Sequence, residues 1–324
     1  MNLNRRTILA TGAAAAAAFF SSTGLAEQPY PNHPITLVVP YTPGGGADGL
    51  ARLVASKMAT ELGQPIIIDN KPGANTMLGA NEVARAQPDG YTLLYVSSSF
   101  ALNPSLYKVP YDTERAFAPV AMVAEVPIII IANPNEPYKT VEDLVNAAKA
   151  KPGNIAYASY GLGSIADLGG RLLGNTAGVE ITSIPYKGSA PALNDLLGGH
   201  VPIAFSSIEP ALQLIAANKV YPIAVLSKKR IQALPNVPTV AETYPGFEAV
   251  GWNGIVAPIN TPAPIMAKLN AAINKAIGFQ DVQQIYAKSG VEAYQMTPEE
   301  FGKLVKDEIA KWGGVIRKAG IKVE

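Results

Sequence analysis

The chain is predicted to be α/β, folded as two lobes that face each other across a cleft. Three observations carry this reading. Short apolar runs rich in branched residues recur along the chain, each ending in a small-residue loop and followed by a stretch with helical spacing. The loops at the strand ends fall into two groups, one before residue 100 and one between 159 and 207. A proline-rich stretch at 234–239 then leads to a further strand at 251, which reads as a return to the first lobe.

Residues 1–26 read as an export address. Arg5 and Arg6 form a charged start, 8–20 is an alanine-rich apolar core, and Gly24-Leu25-Ala26 offers small residues for cleavage near Ala26. Arg5-Arg6-Thr7-Ile8-Leu9 resembles a twin-arginine signal, though the general route is also open. Removing 1–26 takes two of the 26 basic side chains, leaving 24 against 25 acidic ones. So balanced a charge argues against nucleic acid or an anionic membrane surface as partner. No other stretch is long and apolar enough to be embedded in a bilayer. With no Cys and two His, His33 and His200, neither thiol chemistry nor a metal site is expected, and no cofactor.

The first unit sets the pattern. The run 35–39 (ITLVV) is a buried strand, Pro40 ends it, and Thr42-Pro43-Gly44-Gly45-Gly46 turns the chain into a helix over 47–62. Glycines at a helix start leave N–H groups free at the positive end of the dipole, a candidate anion cradle. Neither P-loop nor dinucleotide spacing is present, which favours a carboxylate over a nucleotide. A strand at 65–70, a helix at 77–86 and a strand at 91–96 follow, ending in Ser97-Ser98-Ser99 on the edge where such sheets bind ligands. Residues 100–126 lack periodicity.

The second group begins with a strand at 128–132 and a helix over 141–150 capped by Thr140. A strand at 155–158 leads to Ser159-Tyr160-Gly161-Leu162-Gly163-Ser164 and a helix from 165 to about 176. The strand 179–185, the loop Tyr186-Lys187-Gly188-Ser189 and the helix 190–197 repeat the pattern. So do the strand 201–205, Ser206-Ser207 and the helix 211–217, and a strand at 221–226 closes the group. After the strand at 251–256, Thr261-Pro262 opens a helix. Thr297-Pro298-Glu299-Glu300 opens a last one, to about 317, and these helices are expected to pack on the first lobe.

The expected ligand contacts are Tyr41, Thr42, Gly44, Gly45, Asp48, Ser97, Ser98, Ser159, Gly161, Gly163, Ser164, Asp167, Tyr186, Lys187 and Ser206. Tyr41, Tyr160, Tyr186 and Phe205 are placed to flank an aromatic ring. Arg52 is expected to pair with Asp48 at i,i+4 and stay outside the site. An exported serine hydrolase, with His200 as base and Asp195 or Asp167 as orienter, is the competing reading. It lacks the Gly-x-Ser-x-Gly elbow, since Gly161-Leu162-Gly163-Ser164 has the wrong order. A soluble ligand-sensing partner of a membrane sensor is the third.

Five segments in order resemble the tripartite tricarboxylate transporter solute receptors, or Bug receptors. They are the run from Val39 to Asp48 with its three glycines, Asn70-Lys71-Pro72-Gly73-Ala74-Asn75, Gly161-Leu162-Gly163-Ser164, the run from Pro185 to Ala192, and the run from Leu234 to Glu242. The resemblance spans nearly the whole chain after residue 26. It implies an α/β two-lobed periplasmic-binding-protein fold with two crossover connections, 27–127 plus 249–324 forming one lobe and 128–248 the other. It further implies a non-enzymatic, monomeric receptor that holds a small organic carboxylate, aromatic acids included, by backbone amides and hydroxyls and works with the membrane components of such a transporter. Two positions depart from the family's pattern: Asp167, where the pattern has His, and Pro202, where it has an acid. An Asp beside an anion site repels a carboxylate unless it is protonated, hydrogen-bonded or faces a ligand amine.

Overall fold

The computed structural model describes residues 29–321. The export signal expected over 1–26 lies outside them.

Two mixed five-stranded sheets organise the fold. The first has the order β2-β1-β3-β10-β4, with β1 Ile35–Val39, β2 Ile66–Asn70, β3 Thr92–Ser97, β4 Phe117–Val126 and β10 Gly251–Pro258. The second has the order β7-β6-β8-β5-β9, with β5 Ile128–Ala132, β6 Ala156–Ser159, β7 Thr182–Pro185, β8 Ile203–Ser207 and β9 Tyr221–Val225. The sheets repeat one topology. In each, two parallel pairs surround one strand, and a strand from the far side of a crossover enters antiparallel: β10 between β3 and β4, β5 between β8 and β9. The chain passes between sheets twice, through Pro127 after β4 and through the segment between β9 and β10.

Strand composition follows burial. Ile128 to Ala132 is wholly buried, as a near-continuous apolar run requires when both faces of a sheet are covered. The helices Gly46–Leu62, Val141–Ala150 and Ile165–Ala177 bury one apolar stripe each. Thr140, Thr239 and Thr297 all form reciprocal capping boxes, with Asp143, Glu242 and Glu300.

Three expectations are corrected. The aperiodic stretch 100–126 holds the helix Ser99–Leu106, which carries Pro104 inside it, and the long strand β4. Pro119 obscured that strand, yet it pairs with Val256 at a register shift, where a missing N–H costs little. The helix expected over 211–217 starts earlier, at Ile208, directly after β8. The last helix, Pro298–Lys318, does not serve the first lobe alone. Its Phe301 and Val305 join a core with Val38 and Trp252, whereas Trp312, Val315 and Ile316 join one with Ile130, Tyr157 and Phe205.

Candidate functional site

A cavity of about 430 Å³ opens between the two sheets. Tyr41, Gly46, Ala47, Asn75 and Ser97 to Ser99 line it from the first sheet's side, and Tyr160 to Ile165, Ser207 and Glu209 from the second. Val126, Ile128, Gly251 and Trp252, from the two crossings, also line it.

Four helices present their first turns to this cavity. Gly46 begins Gly46–Leu62, Ser99 begins Ser99–Leu106, Ile165 begins Ile165–Ala177, and Glu209 sits in the first turn of Ile208–Ala216. Each end carries roughly half a positive charge, although some first-turn N–H groups are taken within the protein, Ile208's by the Pro127 carbonyl, Asp167's by Ser164 Oγ and Ser99's by Ser97 Oγ. Among the described residues the wall holds no Lys or Arg, and Glu209 is its only charged side chain. The cavity is therefore electropositive through backbone dipoles, with hydroxyls at Tyr41, Ser97, Ser99, Tyr160 and Ser164 and apolar surface from Leu50, Leu102 and Leu162.

Of the expected contacts, Tyr41, Ser97, Ser98, Gly161, Gly163 and Ser164 lie on the wall. The Tyr41 hydroxyl donates to Ser97 Oγ at 2.5 Å, Ser97 and Ser99 share a hydrogen bond at 2.9 Å, and burial raises the Tyr41 pKa. The Ser98 hydroxyl accepts the Trp252 N–H at 2.8 Å, so it ties β10 to the start of its helix.

The others stand around the wall. Thr42, Gly44 and Gly45 form the exposed turn before Gly46. Gly44 is the member with left-handed backbone, φ 82°, while Gly45 at φ −77° is extended. Asp48 is buried below this turn; it accepts the Gly44 N–H at 2.9 Å, Arg52 Nε at 2.8 Å and Asn70 Nδ2 at 2.8 Å. The Arg52 bond above all holds its carboxyl down at about 2. Asp167 makes the matching hydrogen bonds in the other half. It is wholly buried and accepts the Gly163 N–H at 2.9 Å, Arg171 Nε at 3.2 Å and the Ser183 hydroxyl. Both braces read Gly-x-x-Ala-Asp-x-x-x-Arg, from Gly44 to Arg52 and from Gly163 to Arg171. Asp167 thus satisfies the hydrogen-bonded alternative for an acid near an anion site and points its charge to the loop's underside.

Ser159 and Ser206 are buried and donate to nearby carbonyls, of Gly161 and Ser207. Tyr186 donates to Asp195 Oδ2 at 2.6 Å, and Lys187 is exposed; neither lines the cavity. Gly46, Asn75, Ser99, Trp252 and Glu209 line the cavity without being among the expected contacts. Asn75 sits in a run of three non-glycine residues with positive φ, Ala74 to Thr76, held by Asn103, which donates to the Asn75 carbonyl at 2.8 Å and accepts its amide at 2.7 Å. The Lys71-Pro72-Gly73 turn was the available signal for this loop; Trp252 and Glu209 had none.

The family model of the tripartite tricarboxylate transporter family receptor, TctC, matches residues 50–321. The chain belongs to this receptor family. BugT of Bordetella pertussis is 37% identical over 314 residues, covering 94% of this chain and 96% of that one. An R. palustris protein solved with adipate is 34% identical with a TM-score of 0.78, covering 91% of this chain and all of the other. MatC from Rhodopseudomonas palustris, with bound malate, is also 34% identical, with a TM-score of 0.72 over 89% of this chain and 100% of its own. The TctC receptor is a periplasmic solute-binding protein of transport and not an enzyme, which overturns the hydrolase reading. In keeping with that, His200 is exposed and pairs with Asp195 at 3.3 Å, away from the cavity wall.

Proposed function

We propose that this receptor captures a small organic carboxylate in the cleft and delivers it to the membrane components of a tripartite tricarboxylate-type transporter. The observation that carries the reading is the convergence of four helix N-termini on a cavity with no basic side chain among the described residues. Relatives solved with adipate and malate support it. The carboxylate is held by N–H groups at Gly46 and Ala47 and at Ile165, with Tyr41, Ser97, Ser99 and Tyr160 as hydroxyl partners. Sheet membership supports a division into 27–127 plus 249–324 and 128–248. The receptor acts as a monomer after cleavage near Ala26. Closure of the lobes over the ligand follows from the cleft's place between two crossings.

Thermal-shift screening against aliphatic acids, aromatic acids, amino acids and sugars tests the class: acids raise the melting temperature, and stabilisation by sugars alone refutes it. Gly46→Val, placing methyls at the helix start, abolishes binding. Lys187→Met leaves affinity within about threefold, since an exposed lysine off the wall contributes less than one charge-assisted bond. The reverse outcome replaces the backbone cradle with an ordinary ion pair.

A further inference from the structure

Glu209 is at odds with a site that takes anions. Its helix follows β8, and its carboxylate reaches across the cleft: Oε2 lies 3.4 Å from the place a Cβ on Gly46 would take. It is the only charged side chain on the wall, and it has no ion-pair partner among the described residues. It stands in the first turn of its own helix. The cavity therefore carries one acidic side chain on the second sheet's side, facing the dipole-rich wall of the first.

Resting on the carboxylate reading above, we propose that Glu209 determines specificity by charge: the receptor takes a monocarboxylate that also bears a cationic amine, and it discriminates against dicarboxylates. One end of such a ligand lies at the helix N-termini and its ammonium lies against Glu209. A second carboxylate in that place faces a like charge with no basic residue among the described ones to offset it, and like-charge juxtaposition is a usual means of rejecting a wrong ligand. Because the side chain is exposed at the cleft rim and bonds to nothing else, replacing it leaves the fold intact.

Calorimetric titration of the wild-type receptor and E209Q with acids of four to seven carbons tests this. At each length the plain monocarboxylate, the dicarboxylate, and the α- and ω-amino acids are compared, with the amino alcohol as a control lacking the carboxylate. In the wild type, the best amino acid binds at least tenfold tighter than the dicarboxylate of equal length. In E209Q that ratio falls to threefold or less, while affinity for the plain monocarboxylate stays within threefold. A wild type that prefers dicarboxylates, or a ratio unchanged in E209Q, overturns the role of Glu209 and leaves the carboxylate reading standing. An equal gain for every acid in E209Q also overturns it, since Glu209 then only competes for the helix N-termini. Amino alcohols binding as tightly as amino acids refute the carboxylate reading while upholding the cation contact. Silence from the whole panel overturns both.

Discussion

Asp167 accepts the backbone N–H of Gly163 at 2.9 Å from a side chain wholly removed from solvent. Asp48 accepts that of Gly44 at the same distance, and each Asp then takes the Arg four residues on. The two loops that face each other across the cleft are thus held from beneath by one device used twice. An aspartate that fixes a glycine N–H and pairs within its own helix keeps its charge occupied and leaves the remaining N–H groups of the turn to the cavity.

Asp167→Asn tests the brace. It leaves Arg171 without its carboxylate and weakens the acceptor for Gly163 and Ser183. Loss of one partner of a buried pair predicts destabilisation of about 2–4 kcal/mol in urea unfolding, together with weaker ligand binding because the loop 161–164 is no longer fixed. Wild-type midpoint and affinity would show the brace to be idle.

The Asp48 carboxyl titrates near 2 in the fold, below its ordinary 3.8. Its contribution is present in full above pH 3.8 and is lost as pH falls through about 2. Because Arg52 is half exposed, we expect the contribution to be about 1–2 kcal/mol, less than the full linkage value. Acid unfolding of Asp48→Asn, followed by circular dichroism between pH 5 and 2, therefore shows a shallower loss than the wild type. Parallel curves would contradict the assignment.

Gly44 and Gly45 respond differently to a methyl group. Gly44→Ala forces a Cβ into left-handed backbone, at a cost of about 1–2 kcal/mol, although the space around it is empty. At Gly45, with φ −77°, a Cβ meets only the Thr42 carbonyl at an ordinary 3.7 Å, so Gly45→Ala changes stability by less than about 0.5 kcal/mol. Thermal melts of the two single variants decide this, and equal losses would place the strain elsewhere.

Glu125 lies at the end of β4, beside the first crossing, where its backbone pairs with Glu292 at 2.7 and 3.0 Å. Burial first, then the neighbouring Glu248 and Glu292, push its carboxyl up to about 7, against the pull of Lys228. Stability from the neutral acid is complete below pH 4.5 and is lost as pH rises through 7. Glu125→Gln stays neutral, so it matches the wild type at pH 4.5 and exceeds it at pH 8 by roughly 1–2 kcal/mol, allowing for solvent at this half-buried site. Chemical denaturation at the two pH values measures the difference; an equal offset at both rules out titration as its source.

Much of the fold was legible because its signals are local. A strand such as Ile128 to Ala132 and a capping box such as Thr297 with Glu300 are each written within a few residues, as hydrophobic period and hydrogen-bonding reach demand. The glycine turn at 44–46 and the loop at 161–164 announced themselves in the same way, through residues that only a tight turn at a helix start favours. Where local signals conflicted, the reading failed. Pro104 and Pro119 concealed a helix and a long strand that tertiary packing stabilises against propensity.

The sequence by itself determined the alternation of elements, the absence of cysteine and the two glycine loops. Only the tertiary structure decided what those loops surround. Glu209 and Gly46 are 163 positions apart, and the charge of the cavity depends on their meeting across two sheets. Likewise, Asp48 and Asp167 look like candidate ligand contacts in the chain, and become braces once burial turns them beneath their turns. Which side of a loop a carboxylate faces is set by the packing of the helix that carries it, and a one-dimensional pattern holds no record of that direction.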